Sequence, residues 1–295
     1  MRKILALLNP VAGSMNYEFV CDRLNYLAEQ KALDLRIIET EASRNIAQVM
    51  SKVDINDYDR VLVGGGDGTI ADAANALGTK VQFAILPCGT ANILARELNV
   101  PLDAKEAIDL ALTEDNERKV DAIEVDGELL LVHIAIGNYS YLAEDTSSDL
   151  KQKYGRFAYV IKAIPSMIRA DRWKFSIRIG AKEFKHRAAF VMVTNVDAVG
   201  EGNWRWNDKS EIDDGKVEVC VVNATSLVDY FIYMFYVLIG KPKKFGGLTI
   251  YSVTNTAAIT VAKKVPISGD GEIIGHSDLH IKVIPQALRI IAPPS

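Results

Sequence analysis

The chain has 295 residues, and its 34 lysines and arginines against 38 aspartates and glutamates give a formal net charge of −4. With 49% hydrophobic and 24% charged residues the composition is that of a globular protein, which excludes intrinsic disorder, a collagen-like chain and a small disulfide-rich fold. The slightly acidic balance, without a long run of like charge, also argues against nucleic acid as a partner.

The first part of the chain alternates between segments typical of buried strands and segments with one apolar helix face. The predicted strands are 3–8, 35–38, 60–63 and 81–86, and the predicted helices are 17–33, 46–53, 70–77 and 92–98. Strands that alternate with short helices pair in parallel through right-handed crossovers. Residues 1–122 are therefore predicted to form an α/β domain around a parallel sheet.

After about Val120 the chain changes to a succession of strand-like runs. The predicted strands are 122–125, 129–136, 174–179, 187–194, 217–222, 258–261 and 280–284, and two predicted helices, 155–170 and 226–239, interrupt them. A last strand-like stretch covers 288–292. This pattern predicts a β-rich, mostly antiparallel second domain over residues 123–285.

The cysteine content and the lengths of the apolar runs indicate the cellular compartment of the protein. Cys21, Cys88 and Cys220 are odd in number and far apart, which indicates a reducing compartment rather than a disulfide framework. The apolar run at 4–8 is too short for a signal peptide, and the longest run, 230–239, is well short of the roughly 20 residues that a spanning helix needs. We therefore expect a cytoplasmic protein, and the sequence leaves open whether it forms a homodimer.

The run at 230–239 has two interpretations. Because it is apolar on every side, it is typical of a fully buried helix that covers a sheet. The aromatic residues within it and Lys241, Lys243 and Lys244 directly after it also suit the headgroup zone of an anionic bilayer. Peripheral contact with the inner face of a membrane is therefore kept as the second interpretation.

The most informative segment is a strand-like run that ends in Gly64-Gly65-Gly66-Asp67-Gly68-Thr69 and restarts as a helix at Ile70. Glycines let the backbone approach a ligand closely, and the N–H groups at the following helix start favour an anion. A phosphate group is the natural ligand of such a segment. The simpler alternative is a tight turn between strand and helix.

Two known nucleotide-binding patterns can be compared with this segment. Gly66-x-Gly68-x-x-Ala71 fits the dinucleotide fingerprint, but the next strand ends in Pro87-Cys88-Gly89, where an acidic residue would have to hold the ribose. Asp67 would also repel a pyrophosphate unless a cation lay between them. The sequence does not contain the P-loop pattern either. A phosphate loop with its own carboxylate remains, as a magnesium-nucleotide site requires.

Gly65-Gly66-Asp67-Gly68-Thr69 resembles the GGDGT signature of the diacylglycerol kinase catalytic superfamily, which includes sphingosine kinases and soluble bacterial lipid kinases and shares this signature with NAD kinases. Other segments resemble further family motifs in the same order: Asn9-Pro10 with Gly13, Thr40, Pro87-x-Gly89-Thr90-Ala91-Asn92, Ala95-Arg96-x-Leu98, 153–159, Asp270-Gly271-Glu272 and Pro285-x-Ala287-Leu288. The sequence departs from the family pattern at His133, at 200–204 and at Gly240-Lys241-Pro242, all on the acceptor side.

The resemblance implies a lipid kinase with its active site in the cleft between the two domains, with 286–295 returning to the first domain. It implies ATP as the phosphoryl donor, Mg²⁺ as the cation, and diacylglycerol or a related lipid alcohol as the acceptor. The residues that it implies in nucleotide binding are Asn9, Pro10, Gly13, Thr40, Gly65, Gly66, Asp67, Gly68, Thr69, Gly89, Thr90 and Asn92.

Phosphoryl transfer needs a cradle for the phosphates, a cation, and a base that orients the attacking hydroxyl. By the same resemblance, Asp67 holds Mg²⁺, Glu272 is the general base and Asp270 is its electrostatic partner. The resemblance also implies a second, structural Mg²⁺, bound by the carboxylate of Asp214 and by backbone oxygens of Glu211 and Lys216.

Each of these assignments has a simpler alternative. Asp67 could cap the helix at Ile70, residues 270–272 could form a plain turn between strands, and 213–215 could be a solvated turn. For the whole protein, the alternatives are an NAD kinase-like phosphotransferase, against which the 87–92 motif argues, and a lipid-binding or regulatory protein without turnover. A nucleophilic Cys88 is not expected, and neither is a zinc site at the two histidines 276 and 280.

Overall fold

The computed structural model describes residues 1–10, 16–40, 46–78, 81–141, 172–198, 204–207 and 210–294. Gly13, the predicted helix 155–170, the motif at 153–159 and residues 200–203 lie outside the described residues. The chain divides into two compact units, Met1–Asp121 with Gln286–Ser295, and Ala122–Pro285. The chain thus leaves the first unit after Asp121 and returns to it at Gln286.

A parallel sheet forms the centre of the first unit. Its first four strands are β1 (Lys3–Leu8), β2 (Asp34–Glu39), β3 (Arg60–Gly65) and β4 (Gln82–Pro87). They lie in the order β2-β1-β3-β4, and each neighbouring pair is parallel. Strands β1, β3 and β4 are buried along nearly their whole length, which explains their unbroken apolar runs. The predicted α/β architecture with a parallel sheet is confirmed.

The described residues of the first unit form five α-helices: α1 (Tyr17–Gln30), α2 (Ile46–Met50), α3 (Asp67–Leu77), α4 (Ile93–Glu97) and α5 (Ala104–Thr113). Helices α1 and α5 bury apolar residues in one core with β1, β3 and β4. Helix α5 is not among the predicted elements, although its start carries a recognisable signal. Asp103 caps the helix by accepting a hydrogen bond from the Glu106 backbone N–H at 3.0 Å.

In the described residues, the antiparallel strands of the second unit lie in two sheets, and two of these strands, the first and the last below, extend into the first unit. Its strands are β5 (Glu117–Val125), β6 (Glu128–Leu130), β7 (His133–Gly137), β8 (Trp173–Ile179), β9 (Lys182–Ala188), β10 (Phe190–Thr194), β11 (Val217–Val222), β12 (Leu248–Val253), β13 (Thr256–Val261), β14 (Pro266–Gly269), β15 (Glu272–His276) and β16 (Leu279–Ile291). One sheet runs β12-β11-β10-β7-β14-β15, and in the other β16, β13, β8 and β9 are successive neighbours. All of these pairs are antiparallel, as predicted.

The two sheets of the second unit share one apolar core. Phe175 and Ile177 of β8 enter it from one sheet, and Val191 and Val193 of β10 enter it from the other. The intervening residues of β10 are buried too, because they pack on the opposite face against helix α6 (Leu227–Leu238). The second unit is therefore built as sheet, sheet and helix in three layers.

Strand β16 carries the chain back into the first unit. Its first residues pair with β13, whereas Arg289 and Ile290 pair in parallel with Gln82 and Phe83 of β4. The predicted strands 280–284 and 288–292 are thus parts of one long strand. No helix within the described ranges is long and apolar enough to cross a membrane.

Candidate functional site

The predicted nucleotide-binding residues that the structure describes lie at or near the carboxyl ends of the four parallel strands. Asn9 follows β1, Thr40 follows β2, Gly66 follows β3 and Gly89 lies two residues after β4. The Asn9 N–H donates to the Gly64 carbonyl at 3.3 Å, and the Thr40 N–H donates to the carbonyl that ends β1 at 2.8 Å. Ligands of α/β proteins bind at this edge of the sheet, so the structure places these residues where a nucleotide site is expected.

The glycines at this edge permit a close approach of two backbone segments. A Cβ atom added at Gly89 would lie 2.5 Å from the Cα atom of Gly66, and one added at Gly65 would lie 2.4 Å from the Cβ atom of Thr69. The Cys88 N–H joins the two segments by donating to the Gly65 carbonyl at 2.9 Å. The turn after β3 and the turn after β4 therefore form a surface that consists largely of backbone.

Helix α3 starts directly at this surface. Gly66 is its N-cap and has no side chain that could accept a hydrogen bond from the first turn. In any helix the N–H groups of the first turn have no acceptor within the helix, and the helix dipole adds a partial positive charge there. In α3 these are the N–H groups of Asp67, Gly68 and Thr69, so the start of the helix is suited to an anionic phosphate.

Asp67 connects the starts of two helices. Its carboxylate oxygens accept hydrogen bonds from the backbone N–H groups of Ile93 and Leu94, each at 3.1 Å, in the first turn of α4. The prediction that Asp67 caps its own helix at Ile70 is wrong, because Gly66 occupies the N-cap position and the Asp67 side chain reaches across to the neighbouring helix. The orientation of the carboxylate is therefore fixed by α4.

Asn92 closes the turn between β4 and α4. Its side-chain oxygen accepts from the Gly89 N–H and its side-chain nitrogen donates to the Gly89 carbonyl, both at 2.8 Å. Asn92 itself has a left-handed backbone with φ of 48°. Both ends of its amide are thus engaged in shaping the turn, and Thr90, which lies inside this closed turn, is exposed.

Cys88 lies in the same turn but is not suited to nucleophilic catalysis. The thiol is buried, and it donates to the Leu86 carbonyl at 3.3 Å. Burial raises the pKa of Cys88 to about 11, so the thiolate is scarce near neutral pH.

In the second unit, residues 270 and 271 form a two-residue hairpin turn between β14 and β15. Gly269 pairs with Glu272 across the turn, and both Asp270 and Gly271 have positive φ, 47° and 93°. An Asp-Gly pair is favoured in such turns because both positions need a left-handed backbone. The simple turn interpretation is therefore correct for the backbone, and it places the Glu272 side chain in an exposed position at the start of β15.

The carboxylate of Asp270 is held by three backbone donors. The N–H groups of Leu131, Val132 and His133 donate to it at 2.7, 3.0 and 3.0 Å. These bonds explain why the predicted strand 129–136 is divided into β6 and β7. Burial raises the pKa of Asp270, although the three N–H donors act in the opposite direction. The structure thus shows Asp270 fixing the turn that carries Glu272.

The predicted structural metal loop contains an internal ion pair. Asp214 accepts from the Lys216 backbone N–H at 3.0 Å and lies 3.1 Å from the Lys216 ammonium, while Glu211 is exposed. Nowhere in the part of the chain that the structure describes do three or more His, Cys, Asp or Glu side chains form a group that could hold a metal. The Asp214 carboxylate thus already has a cationic partner in Lys216, and the second Mg²⁺ site stays a prediction.

A buried polar cluster beside this loop was not predicted from the sequence. Asn207 donates to the hydroxyls of Thr194 at 2.9 Å and Ser210 at 3.1 Å, and the Ser210 N–H donates to the Asp197 carboxylate at 3.2 Å. All four residues are buried. The polar run after strand β10 is the signal that could have indicated it, because buried polar groups must find partners.

The parallel sheet of the first unit and the antiparallel strands of the second unit together define a two-unit α/β protein. The sequence pattern of the diacylglycerol kinase catalytic domain matches residues 3–125, and that of the YegS C-terminal NAD kinase beta sandwich-like domain matches 134–292. The chain therefore belongs to the diacylglycerol kinase catalytic-domain family, and the family and its relatives' names support a kinase-type phosphotransferase.

The similarity to relatives extends over most of the chain. It is 30% identical to a Pseudomonas aeruginosa protein named "Probable lipid kinase YegS-like", over 80% of this chain and 77% of the relative. It is 23% identical to the diacylglycerol kinase of Bacillus subtilis, over 93% and 91% of the two chains.

Solved structures share the fold. A diacylglycerol kinase from Bacillus anthracis has a TM-score of 0.81 at 23% identity and covers 99% of this chain and 98% of its own. An NAD kinase from Archaeoglobus fulgidus in complex with ATP has a TM-score of 0.54 at 11% identity, over 99% and 93%. At these identities the likeness concerns the fold alone.

Proposed function

We propose that the protein is a Mg-ATP-dependent lipid kinase that transfers the γ-phosphoryl group of ATP to a hydroxyl of diacylglycerol or a related lipid alcohol. The observation that carries this proposal is the start of α3 beside Gly65, Gly66 and Gly89, because its N-cap residue Gly66 has no capping side chain and the N–H groups of a first helical turn favour an anion such as a phosphate. The family membership and the names of the relatives support the acceptor class.

On the donor side, the chain supplies backbone N–H groups and one carboxylate. The first turn of α3 would bind the phosphates, with Asn9, Thr40 and Thr90 around them. Mg²⁺ commonly uses one or two protein carboxylates and completes its shell with waters and substrate phosphates, so a single carboxylate at Asp67 fits such an ion. When bound, Mg²⁺ would neutralise charge on the phosphates. Because the α4 backbone orients the Asp67 carboxylate, that carboxylate would need no reorientation when the nucleotide binds.

On the acceptor side, Glu272 would orient the attacking hydroxyl and take its proton. Its exposed position at the end of a tight turn leaves the carboxylate accessible to a substrate. Asp270 would act as a positioning residue, because its carboxylate is bound by three backbone N–H groups and holds the turn in place. General-base assistance of this kind contributes about 10²–10⁴-fold to the rate.

A transfer assay tests the proposal. The protein is incubated with γ-labelled ATP and Mg²⁺, and with diacylglycerol or NAD as acceptor in parallel reactions. We expect label in the lipid and none in NAD. Label in NAD alone would establish the NAD kinase alternative, and no transfer to either acceptor or to a whole-cell lipid extract would favour the lipid-binding protein without turnover.

A further inference from the structure

Helix α6 is not fully buried, although its sequence is apolar on every side. Tyr230, Tyr233 and Val237 pack into the core of the second unit, and the Tyr233 hydroxyl donates to the Trp206 carbonyl at 3.2 Å. The opposite face is exposed, with Phe231 and Phe235 at 67% and 57% of their full exposure. The helix therefore presents apolar side chains both to the core and to solvent.

We call this exposed face the apolar strip. It consists of Val228, Phe231, Ile232, Phe235 and Leu238, all exposed large hydrophobic residues. Their spacing of three and four residues places them in one stripe along the helix. Monomeric proteins seldom leave such a stripe exposed without a binding partner, so the strip needs an explanation.

The chain places three lysines at the end of the strip. Gly240, with φ of 66°, donates its N–H to the Val237 carbonyl at 3.0 Å, and the Lys241 N–H donates to the Tyr236 carbonyl at 2.8 Å. This pair of bonds is a Schellman motif, which fixes the direction in which the chain leaves the helix. Lys241 and the two following lysines, 243 and 244, are exposed beside it.

The acidic residue of α6 is at the other end. The Asp229 carboxylate accepts hydrogen bonds from the Thr225 hydroxyl at 2.6 Å and from the Thr225 and Ser226 backbone N–H groups at 2.7 and 3.0 Å, and these bonds lower its pKa. It is the acidic half of a capping box at the helix start. Positive charge is thus concentrated where the strip ends, in a chain whose net charge is −4.

We propose that the apolar strip and Lys241, Lys243 and Lys244 form a docking surface for an anionic lipid bilayer. The strip would enter the boundary between headgroups and acyl chains, and the lysines would bind anionic headgroups. The inference rests on the proposed function and deepens it, because a lipid alcohol is dissolved in a membrane and the enzyme must meet it there.

A second copy of the chain fits this surface less well. The strip consists of five side chains on one helix of 12 residues. A stable protein interface buries about 800 Å² of accessible surface on each partner, contributed by roughly 20–30 residues. A bilayer needs no such area, because one helix face inserted by about 5–10 Å is sufficient for peripheral binding.

The test measures vesicle binding without ATP. The full-length chain is sedimented with phosphatidylglycerol-phosphatidylcholine vesicles and with phosphatidylcholine vesicles at low salt. We expect Phe231→Gln to lower the partition coefficient on anionic vesicles about tenfold, because it removes one large apolar side chain from the strip that would insert into the bilayer. The double variant Lys243→Glu/Lys244→Glu should lose at least about tenfold on anionic vesicles and change little on neutral ones.

Matched controls lie elsewhere on the surface. Phe19→Gln makes the same change at another exposed phenylalanine, and Lys263→Glu/Lys264→Glu reverses two other exposed lysines of the second unit. Both controls should bind vesicles like the wild type, and all variants should keep its melting temperature and its activity on a short-chain acceptor in detergent.

Two results would overturn the proposal. Equal sedimentation of the wild type, the strip variant and the lysine variant would remove this surface from membrane binding. Loss of a dimer in Phe231→Gln, measured by light scattering, together with unchanged vesicle binding would assign the strip to a second copy. Because sedimentation needs no turnover, a wild-type protein that binds vesicles but transfers no phosphate would contradict the proposed function and leave this inference intact.

Discussion

Replacement of Gly89 by alanine tests whether the close approach of the two glycine turns is necessary. The added methyl carbon would lie 2.5 Å from the Gly66 Cα atom and 2.9 Å from the side-chain oxygen of Asn92. Both distances are shorter than any ordinary carbon contact, and the first is to backbone, which cannot rotate away. The turn after β3 and the turn after β4 must therefore separate.

The expected cost follows from this overlap. Inserting a methyl group into a closely packed site costs about 1–3 kcal/mol of folding free energy. We expect Gly89→Ala to lower the free energy of unfolding by this amount, measured by urea titration. It should also weaken ATP binding in calorimetry, because it displaces the backbone that we propose to bind the phosphates. Gly246→Ala is the control, since an added methyl there meets nothing within 4 Å, and its effect should stay within about 0.5 kcal/mol.

A substitution at a second glycine, Gly68, distinguishes an effect on folding stability from an effect on ATP binding. A methyl group at Gly68 also meets nothing within 4 Å, and Gly68 lies in the first turn of α3, where alanine favours the helix by up to about 1 kcal/mol. Gly68→Ala should therefore keep or increase stability yet weaken ATP binding, because the methyl group occupies the proposed phosphate surface. Wild-type stability and ATP affinity in Gly89→Ala, or wild-type ATP affinity in Gly68→Ala, would refute this account of the site.

Three further predictions concern carboxylates. Asp67→Asn should abolish transfer, and full activity in the folded variant would contradict the proposed role of Asp67. The same change should lower the free energy of unfolding by about 1–3 kcal/mol, because the amide cannot accept both N–H bonds from α4. Glu272→Gln should lower kcat by about 10²-fold or more with ATP affinity nearly unchanged, and a collapse of ATP affinity at constant kcat would place Glu272 on the donor side instead. Asp270→Asn should lower the melting temperature and kcat, because Asp270 positions the turn through three backbone N–H groups. The pH profile of kcat should stay unchanged. A shifted profile would instead make Asp270 a proton-transfer group.

Much of the fold follows from local sequence. Alternating apolar strands and helices predict the parallel sheet of the first unit, because a strand buried on both faces must be apolar throughout. The Asp-Gly pair at 270–271 predicts a tight turn, since both positions need a left-handed backbone. Helix α5 is not among the predicted elements, although it too carries a local signal. Asp103 is its N-cap and Glu106 lies in its first turn.

The glycine segment is a second local signal, and it indicates a candidate site. A run of glycines between a strand and a helix changes both the backbone freedom and the charge at the helix start, and both effects are local. Motif spacing could therefore indicate a phosphate loop with a carboxylate at Asp67. The identity of the residue that each carboxylate contacts is not local information.

Only the tertiary structure decided how these residues are used. Asp67 caps a helix that begins 26 residues later, and Asp270 accepts hydrogen bonds from residues 137 to 139 positions earlier in the chain. The Gly66–Gly89 approach and the exposed face of α6 likewise depend on which segments pack together. Sequence periodicity shows how apolar a helix face is, but the size of the sheet beneath it decides whether that face meets the core or solvent. Strand β10 and its neighbours cover only one side of α6.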